Sequence, residues 1–206
     1  SPQVWVPAAG AALLLAGEEI DGLDRGLSDW AREHALLFGT PERAASASDD
    51  LLATARAIGV LSVVVTPAAT DDDGLAARLH TAAVQGSAVV VTLALTDALK
   101  EATDRARPEA PPGADGGRSF PSGHAAQAAV WTTLAGRNAA ALPLSPAGTR
   151  AVEVTRTALT VATGWARVEA GKHYASDVLA GAALGNFVGA FVNDAFLGFD
   201  GSISLY

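Results

Sequence analysis

Residues 120–134, FPSGHAAQAAVWTTL, hold a helix start together with the helix that follows it. Ser122 and Gly123 stand immediately before an alanine-rich apolar run, and both residue types are favoured where a helix begins. Alanine is the strongest helix former and has little β preference. The first N–H groups of such a helix have no partner within it, so the same stretch also predicts an anion site at the positive helix end.

Other apolar segments, each bounded by polar residues, proline or glycine, have the length and spacing of helices. They lie at residues 4–17, 51–66, 76–100, 124–136, 149–166 and 177–197, and shorter amphipathic helices are expected near 23–37 and 41–49. Loops are expected at 67–74, 108–119 and 137–148. The sequence has no strand pattern, internal repeat or linker, so we predict an all-α helical bundle with residues 1–206 in a single domain.

The charge balance restricts the possible partners. The chain has 14 Lys and Arg against 22 Asp and Glu, a formal net charge of -8, so nucleic acid is not an expected partner. Cysteine is absent, which excludes disulfides and thiolate chemistry.

The hydropathy pattern leaves two locations open. A mean hydropathy of +0.26 is high for a soluble protein and low for a chain that crosses a membrane several times. Charges interrupt most apolar segments, and residues 178–197 are expected to form a buried core helix because Asn186, Asn193 and Asp194 would be poor lipid neighbours. The chain lacks methionine and opens on an apolar stretch, as if a signal peptide had been removed. We therefore expect a periplasmic or secreted protein that can associate with a membrane, with an integral inner-membrane protein as the alternative.

Three polar clusters follow one another in the second half of the chain. Lys100 and Arg107 put two cations where a predicted helix gives way to a Pro/Gly-rich loop, which suits an anionic ligand. His124 follows the helix start described above. His173 comes next, and Asp177 is four residues later, close enough to orient its ring.

Taken in order, K-x6-R-P, P-S-G-H and R-x5-H-x3-D resemble the three signature motifs of the type 2 phosphatidic acid phosphatase and vanadium haloperoxidase superfamily. The resemblance covers about residues 100–190, and residues 1–99 carry no motif. Ala166 occupies a position where the family usually has serine, which loosens a secondary contact and removes no main catalytic group. The resemblance implies the helical bundle of that superfamily.

It also implies roles for the matching residues. His173 would be the nucleophile that takes the phosphoryl group, Asp177 its orienting partner, and His124 the acid that protonates the leaving alkoxide and then activates water. The phosphate-binding groups would be Lys100, Arg107, Ser122, Gly123 and Arg167. No metal or other cofactor is implied, and vanadate is expected to inhibit as a phosphate mimic.

Several polar residues outside these roles receive plainer interpretations. His34 and His80 are expected to be structural, and Glu169 and Lys172 to be rim or surface residues rather than catalysts. Asp115 and Arg118, on the loop before the second motif, are weaker candidates for substrate contact.

The motifs leave the activity and the substrate partly open. The main expectation is a metal-independent phosphomonoesterase that acts on a lipid phosphate or a related ester. A vanadium-dependent haloperoxidase and a non-catalytic phosphate or phospholipid binder are the alternatives. The three motifs contact only the phosphate, so the sequence does not identify the substrate or the oligomeric state.

Overall fold

The computed structural model describes residues 18–66, 74–110 and 117–198. These ranges contain six helices: α1 (Glu18–His34), α2 (Pro41–Val65), α3 (Gly74–Thr103), α4 (Gly123–Ala140), α5 (Pro146–Glu169) and α6 (Ala175–Leu197). Within them, β pairing is limited to a single bridge between Ala106 and Arg118, which confirms the all-α prediction. The helix predicted at 4–17 and the candidate Asp115 lie outside the described residues.

Capping residues account for the helix starts that the sequence located less well. Thr40 caps α2 by accepting a hydrogen bond from the Arg43 N–H at 3.2 Å, with Pro41 as the first helical residue. The two pieces predicted at 41–49 and 51–66 therefore form one helix, because neither proline nor glycine separates them. Ser145 caps α5 in the same way, so this helix begins at Pro146, three residues before the predicted start at residue 149.

α4 and α6 lie side by side, which brings the second and third motifs together. A Cβ atom at Gly181 would collide with the carbonyl oxygen of Ser122, and one at Gly185 with the carbonyl oxygen of Ala126. The small residues thus let the two backbones touch. The N–H of Ser122 also donates to the carbonyl oxygen of Asp177 at 2.9 Å, which fixes the register of the two helix starts.

The polar residues of α6 face the bundle rather than its outside. Asn193 accepts a hydrogen bond from Gln85 at 2.9 Å, and Asp194 pairs with Arg137 at 2.6 Å. The same helix exposes Phe187, Phe191 and Phe196, whose exposed fractions range from 44% to 65%. The prediction of a buried core helix is therefore wrong, because the polar groups that argued against lipid are satisfied internally while these aromatic side chains are exposed.

α3 and α6 have the length and hydropathy of membrane spans. Within the most apolar 18-residue stretch of each helix, only 22% of α3 and 39% of α6 is buried in the bundle. The core helix of a soluble protein would be mostly buried. These two helices carry much of the apolar outer surface among the described residues.

Candidate functional site

His173 lies between α5 and α6 and is almost completely buried. Its Nδ1 atom is 2.7 Å from the carbonyl oxygen of Ser119. Because a carbonyl oxygen can only accept, a neutral His173 carries its proton on Nδ1 and donates it there, which leaves a lone pair on Nε2. This is the tautomer that a nitrogen nucleophile requires.

The pKa of His173 is lowered to about 4, chiefly because burial disfavours the charged ring. Asp177 opposes the shift, whereas the positive charges of Arg167 and Lys100 add to it. The ring is therefore neutral at pH 7. The influence of Arg167 and Lys100 also shows that cations of the first and third motifs act on the same imidazole.

The predicted role of Asp177 as the orienting partner of His173 stays a prediction, and Asp177 lies closer to other groups. Its Oδ2 atom is 3.7 Å from His173 Nδ1, too long for a hydrogen bond. That oxygen accepts the N–H of Tyr174 at 2.8 Å, and Oδ1 binds Arg105 at 2.7 Å. The carbonyl group of Ser119 thus orients the imidazole, while the fully buried Asp177 holds the chain around it.

Arg105 joins Asp177 to α1. Its second terminal nitrogen lies 2.8 Å from Asp24 on α1, and its guanidinium stacks 4.0 Å above the ring centroid of Tyr174. Asp24 also accepts the N–H of Ser176 at 3.0 Å. Sequence reasoning missed both residues, since Arg105 falls within the variable spacer of the first motif and Asp24 within an ordinary amphipathic helix.

Arg107 and Arg167 carry unused hydrogen-bond donors. The Nε atoms of both side chains are buried without a partner among the described residues, as is the hydroxyl oxygen of Ser119. Among the described residues, the nearest carboxylate oxygen to Arg107 is that of Glu109, at 4.0 Å. No carboxylate of the described ranges lies within 4 Å of Arg167, which donates to the Ser48 hydroxyl at 3.1 Å. Buried donors of this kind are suited to an anion.

The other predicted phosphate ligands are Lys100, Ser122 and Gly123. Lys100 donates to the carbonyl oxygen of Arg118 at 3.0 Å. The hydroxyl of Ser122 caps α4 by accepting the N–H of Ala125 at 3.4 Å, and this leaves its own hydrogen free to donate. Gly123 is the first residue of α4, so its N–H lies at the positive end of that helix.

His124 pairs with a residue that the motifs did not indicate. Its Nε2 atom lies 2.7 Å from an Asp49 carboxylate oxygen on α2. Burial lowers the pKa of His124, Arg167 lowers it further, and Asp49 opposes both effects. The positive charge of Arg167 therefore lowers the pKa of both His124 and His173.

The residues given plainer interpretations have different outcomes. Glu169 was predicted at the rim, which is wrong, because it is fully buried and accepts the N–H groups of Leu37 and Phe38 at 3.1 Å each. Lys172 is partly exposed and pairs with Glu109 at 2.6 Å, in agreement with a rim position. The guanidinium of Arg118 pairs with Asp104 at 3.0 Å, and its contact with substrate stays a prediction.

The described residues contain no group of three or more metal-ligating side chains that could hold a metal ion. The positive charges of Arg167 and Lys100, which act on His173, would attract an oxyanion. The chemistry that this arrangement can perform is the binding of a phosphate-like group next to an imidazole lone pair.

Comparisons with known proteins agree with the geometry. The model of the PAP2 superfamily matches residues 81–197, which include all three clusters. A crystal structure described as the first transmembrane PAP2 type phosphatidylglycerolphosphate phosphatase, from Bacillus subtilis, superposes with a TM-score of 0.67. The two chains are 23% identical, and the match covers 94% of each, so they share a fold. No curated protein sequence matches the chain.

Proposed function

This chain belongs to the PAP2 superfamily, and from that premise we propose that it is a phosphatase that cleaves lipid phosphate monoesters through a histidine nucleophile without a metal ion. One observation carries the proposal. The Nε donors of Arg107 and Arg167 are buried and have no partner among the described residues, and the Nδ1–H of His173 donates to the carbonyl oxygen of Ser119. An oxyanion would satisfy the donors, and the free Nε2 would face its phosphorus.

In the first step the Nε2 lone pair of His173 attacks phosphorus and the ester P–O bond breaks. The departing alkoxide takes a proton from His124, so the alcohol leaves neutral and a phosphohistidine remains. Lys100, Arg107 and Arg167 neutralise charge on the transferring oxygens, together with the N–H of Gly123 and the hydroxyl of Ser122. The carbonyl group of Ser119 accepts a hydrogen bond from Nδ1–H and stabilises the positive charge that develops on the ring.

In the second step water attacks the phosphohistidine. His124, now unprotonated, takes a proton from the water as the P–N bond breaks. Phosphate leaves, and His173 Nε2 recovers its lone pair. Both steps use protein cations alone, so neither requires a metal.

The outer surface of the bundle supports a lipid substrate. α3 and α6 meet the length and composition of membrane spans, and the similar Bacillus subtilis structure is described as transmembrane. We therefore favour the integral membrane alternative, with these two helices as spans, over the periplasmic soluble protein that the sequence suggested. That neighbour's description names phosphatidylglycerolphosphate, which makes a glycerophospholipid monoester the first substrate class to assay.

The test is phosphate release from lipid and soluble phosphomonoesters in mixed micelles, with a chelator present. We expect faster turnover of the lipid esters, no loss with chelator, and inhibition by vanadate. A requirement for added magnesium or zinc would contradict the proposal. So would bromide oxidation with vanadate and peroxide in a protein that releases no phosphate, since that result would identify a haloperoxidase.

A further inference from the structure

One turn of α2 contacts two of the three motifs. Ser48 accepts a hydrogen bond from Arg167 at 3.1 Å, and the adjacent Asp49 lies 2.7 Å from His124 Nε2. This turn lies outside the segment that matches the family, residues 81–197. The site is therefore completed by a helix that carries none of its motifs.

We propose that Asp49 is a positioning residue that holds His124 in the orientation and protonation state required for its two proton transfers. The proposal rests on the proposed function, since it concerns the same acid and base. It assigns Asp49 a role in the reaction rather than in folding.

The geometry determines which nitrogen of His124 exchanges protons. An ionised carboxylate can only accept a hydrogen bond, so Nε2 must carry the proton that lies between His124 and Asp49. Nδ1 is then the nitrogen left to give a proton to the leaving oxygen and to take one from water. This arrangement matches the histidine and aspartate of a catalytic triad in principle, with the two ring nitrogens exchanged.

Electrostatics explains why a carboxylate is needed at this position. His124 must be an imidazolium before it can act as an acid, yet burial, Arg167 and Arg56 all lower its pKa. Asp49 is the carboxylate that opposes them, through both its charge and its hydrogen bond. Removing that charge should reduce the fraction of His124 that is protonated near neutral pH.

Stability alone does not account for the pair. The side chain of Asp49 is 67% exposed and that of His124 is 27% exposed. Ion pairs in such a position contribute little to the folding free energy because water screens them. A contribution of Asp49 should therefore appear in the chemical steps and not in the thermal midpoint.

The experiment compares Asp49→Asn with Asp50→Asn in the purified full-length protein. Asp50 is exposed on the same helix turn, which makes it a matched control for loss of one surface carboxylate. The rates of phosphoenzyme formation are measured on an alkyl phosphate and on a nitrophenyl phosphate, whose leaving group departs without protonation. We expect Asp49→Asn to slow the alkyl ester about 10- to 100-fold, a fraction of what a general acid contributes. The nitrophenyl ester should change less than about threefold.

Two further measurements separate positioning from a structural effect. In a His124→Ala background, Asp49→Asn should cause no additional loss, because the residue through which it acts is gone. The imidazole of His124 is also titrated by NMR in the isotope-labelled protein, with its signal identified by its loss in His124→Ala. Asp49→Asn should lower the titration midpoint, whereas Asp50→Asn should leave it unchanged.

Equal losses on both esters, or additive losses in the His124→Ala background, would overturn the proposal. An unchanged imidazole titration in Asp49→Asn would do the same. If the unaltered chain hydrolyses no phosphate ester, the proposed function fails. The titration would still decide whether Asp49 holds His124.

Discussion

His173 Nδ1 lies 2.7 Å from the carbonyl oxygen of Ser119, whereas the Asp177 carboxylate lies 3.7 Å from the same nitrogen. A main-chain atom therefore determines which nitrogen of His173 carries the proton. Ser119 lies just before the second motif and the start of α4, so the segment that leads into that motif orients the imidazole of the third. No side-chain substitution removes this acceptor.

The acid limb of the activity profile should report the low pKa of His173. Because that pKa is about 4, the ring stays neutral as the pH falls from 7 and becomes protonated only near pH 4. We expect kcat/KM for nitrophenyl phosphate to persist to about pH 5, after correction for the separately measured ionisation of the substrate. An acid limb centred near pH 6.5, the usual pKa of histidine, would show that burial does not lower the pKa of His173.

Arg105→Ala should destabilise the protein strongly. Asp24 and Asp177 bind this guanidinium, and their side chains are 4% and 0% exposed. Its removal therefore leaves two buried carboxylates without a cation. The expected loss is about 3 kcal/mol of unfolding free energy. It is measured as a fall in the thermal midpoint in detergent.

Arg118→Ala is the matched control for that substitution. Arg118 is 45% exposed and pairs with exposed carboxylates, so we expect a change below about 1 kcal/mol. Equal midpoints for the two variants would mean that the link between Arg105 and α1 does not stabilise the fold.

Gly185→Ala should separate α4 from α6. An added Cβ would collide with the carbonyl oxygen of Ala126, which is backbone and cannot turn aside. We expect a loss of about 1–3 kcal/mol and a fall in activity, because the helix starts that carry the second and third motifs would move apart.

Gly86→Ala provides the comparison within another long apolar helix. A Cβ at Gly86 would meet nothing within 4 Å, and alanine favours a helix over glycine. The variant should be neutral or slightly stabilised. Equal losses for the two glycines would contradict the close contact between α4 and α6.

The three motifs could be recognised in the sequence because the residues of each lie close together in the chain. Sequence reasoning missed their partners because those contacts join distant parts of the chain. Asp24 reaches Ser176 across 152 positions, and Asp49 reaches His124 across 75. No periodicity marks either aspartate as different from a solvated surface charge.

Surface character was misjudged for a related reason. Asn193 and Asp194 are polar wherever α6 lies, so the sequence argued against lipid. Only the packed structure shows that Gln85 and Arg137 bind these two side chains inside the bundle, while three phenylalanine side chains of α6 are exposed. Hydropathy counts residues without regard to the direction in which they point.

Trapping of the phosphoenzyme is the most direct test of the central claim that His173 is the nucleophile. The unaltered protein and the His173→Ala and His124→Ala variants are mixed with labelled nitrophenyl phosphate, and the protein-bound label is measured under conditions that preserve phosphohistidine. We expect no label on His173→Ala. We expect accumulated label on His124→Ala, since that variant can still be phosphorylated by an activated ester but lacks the base for hydrolysis. Label retained on His173→Ala would contradict it.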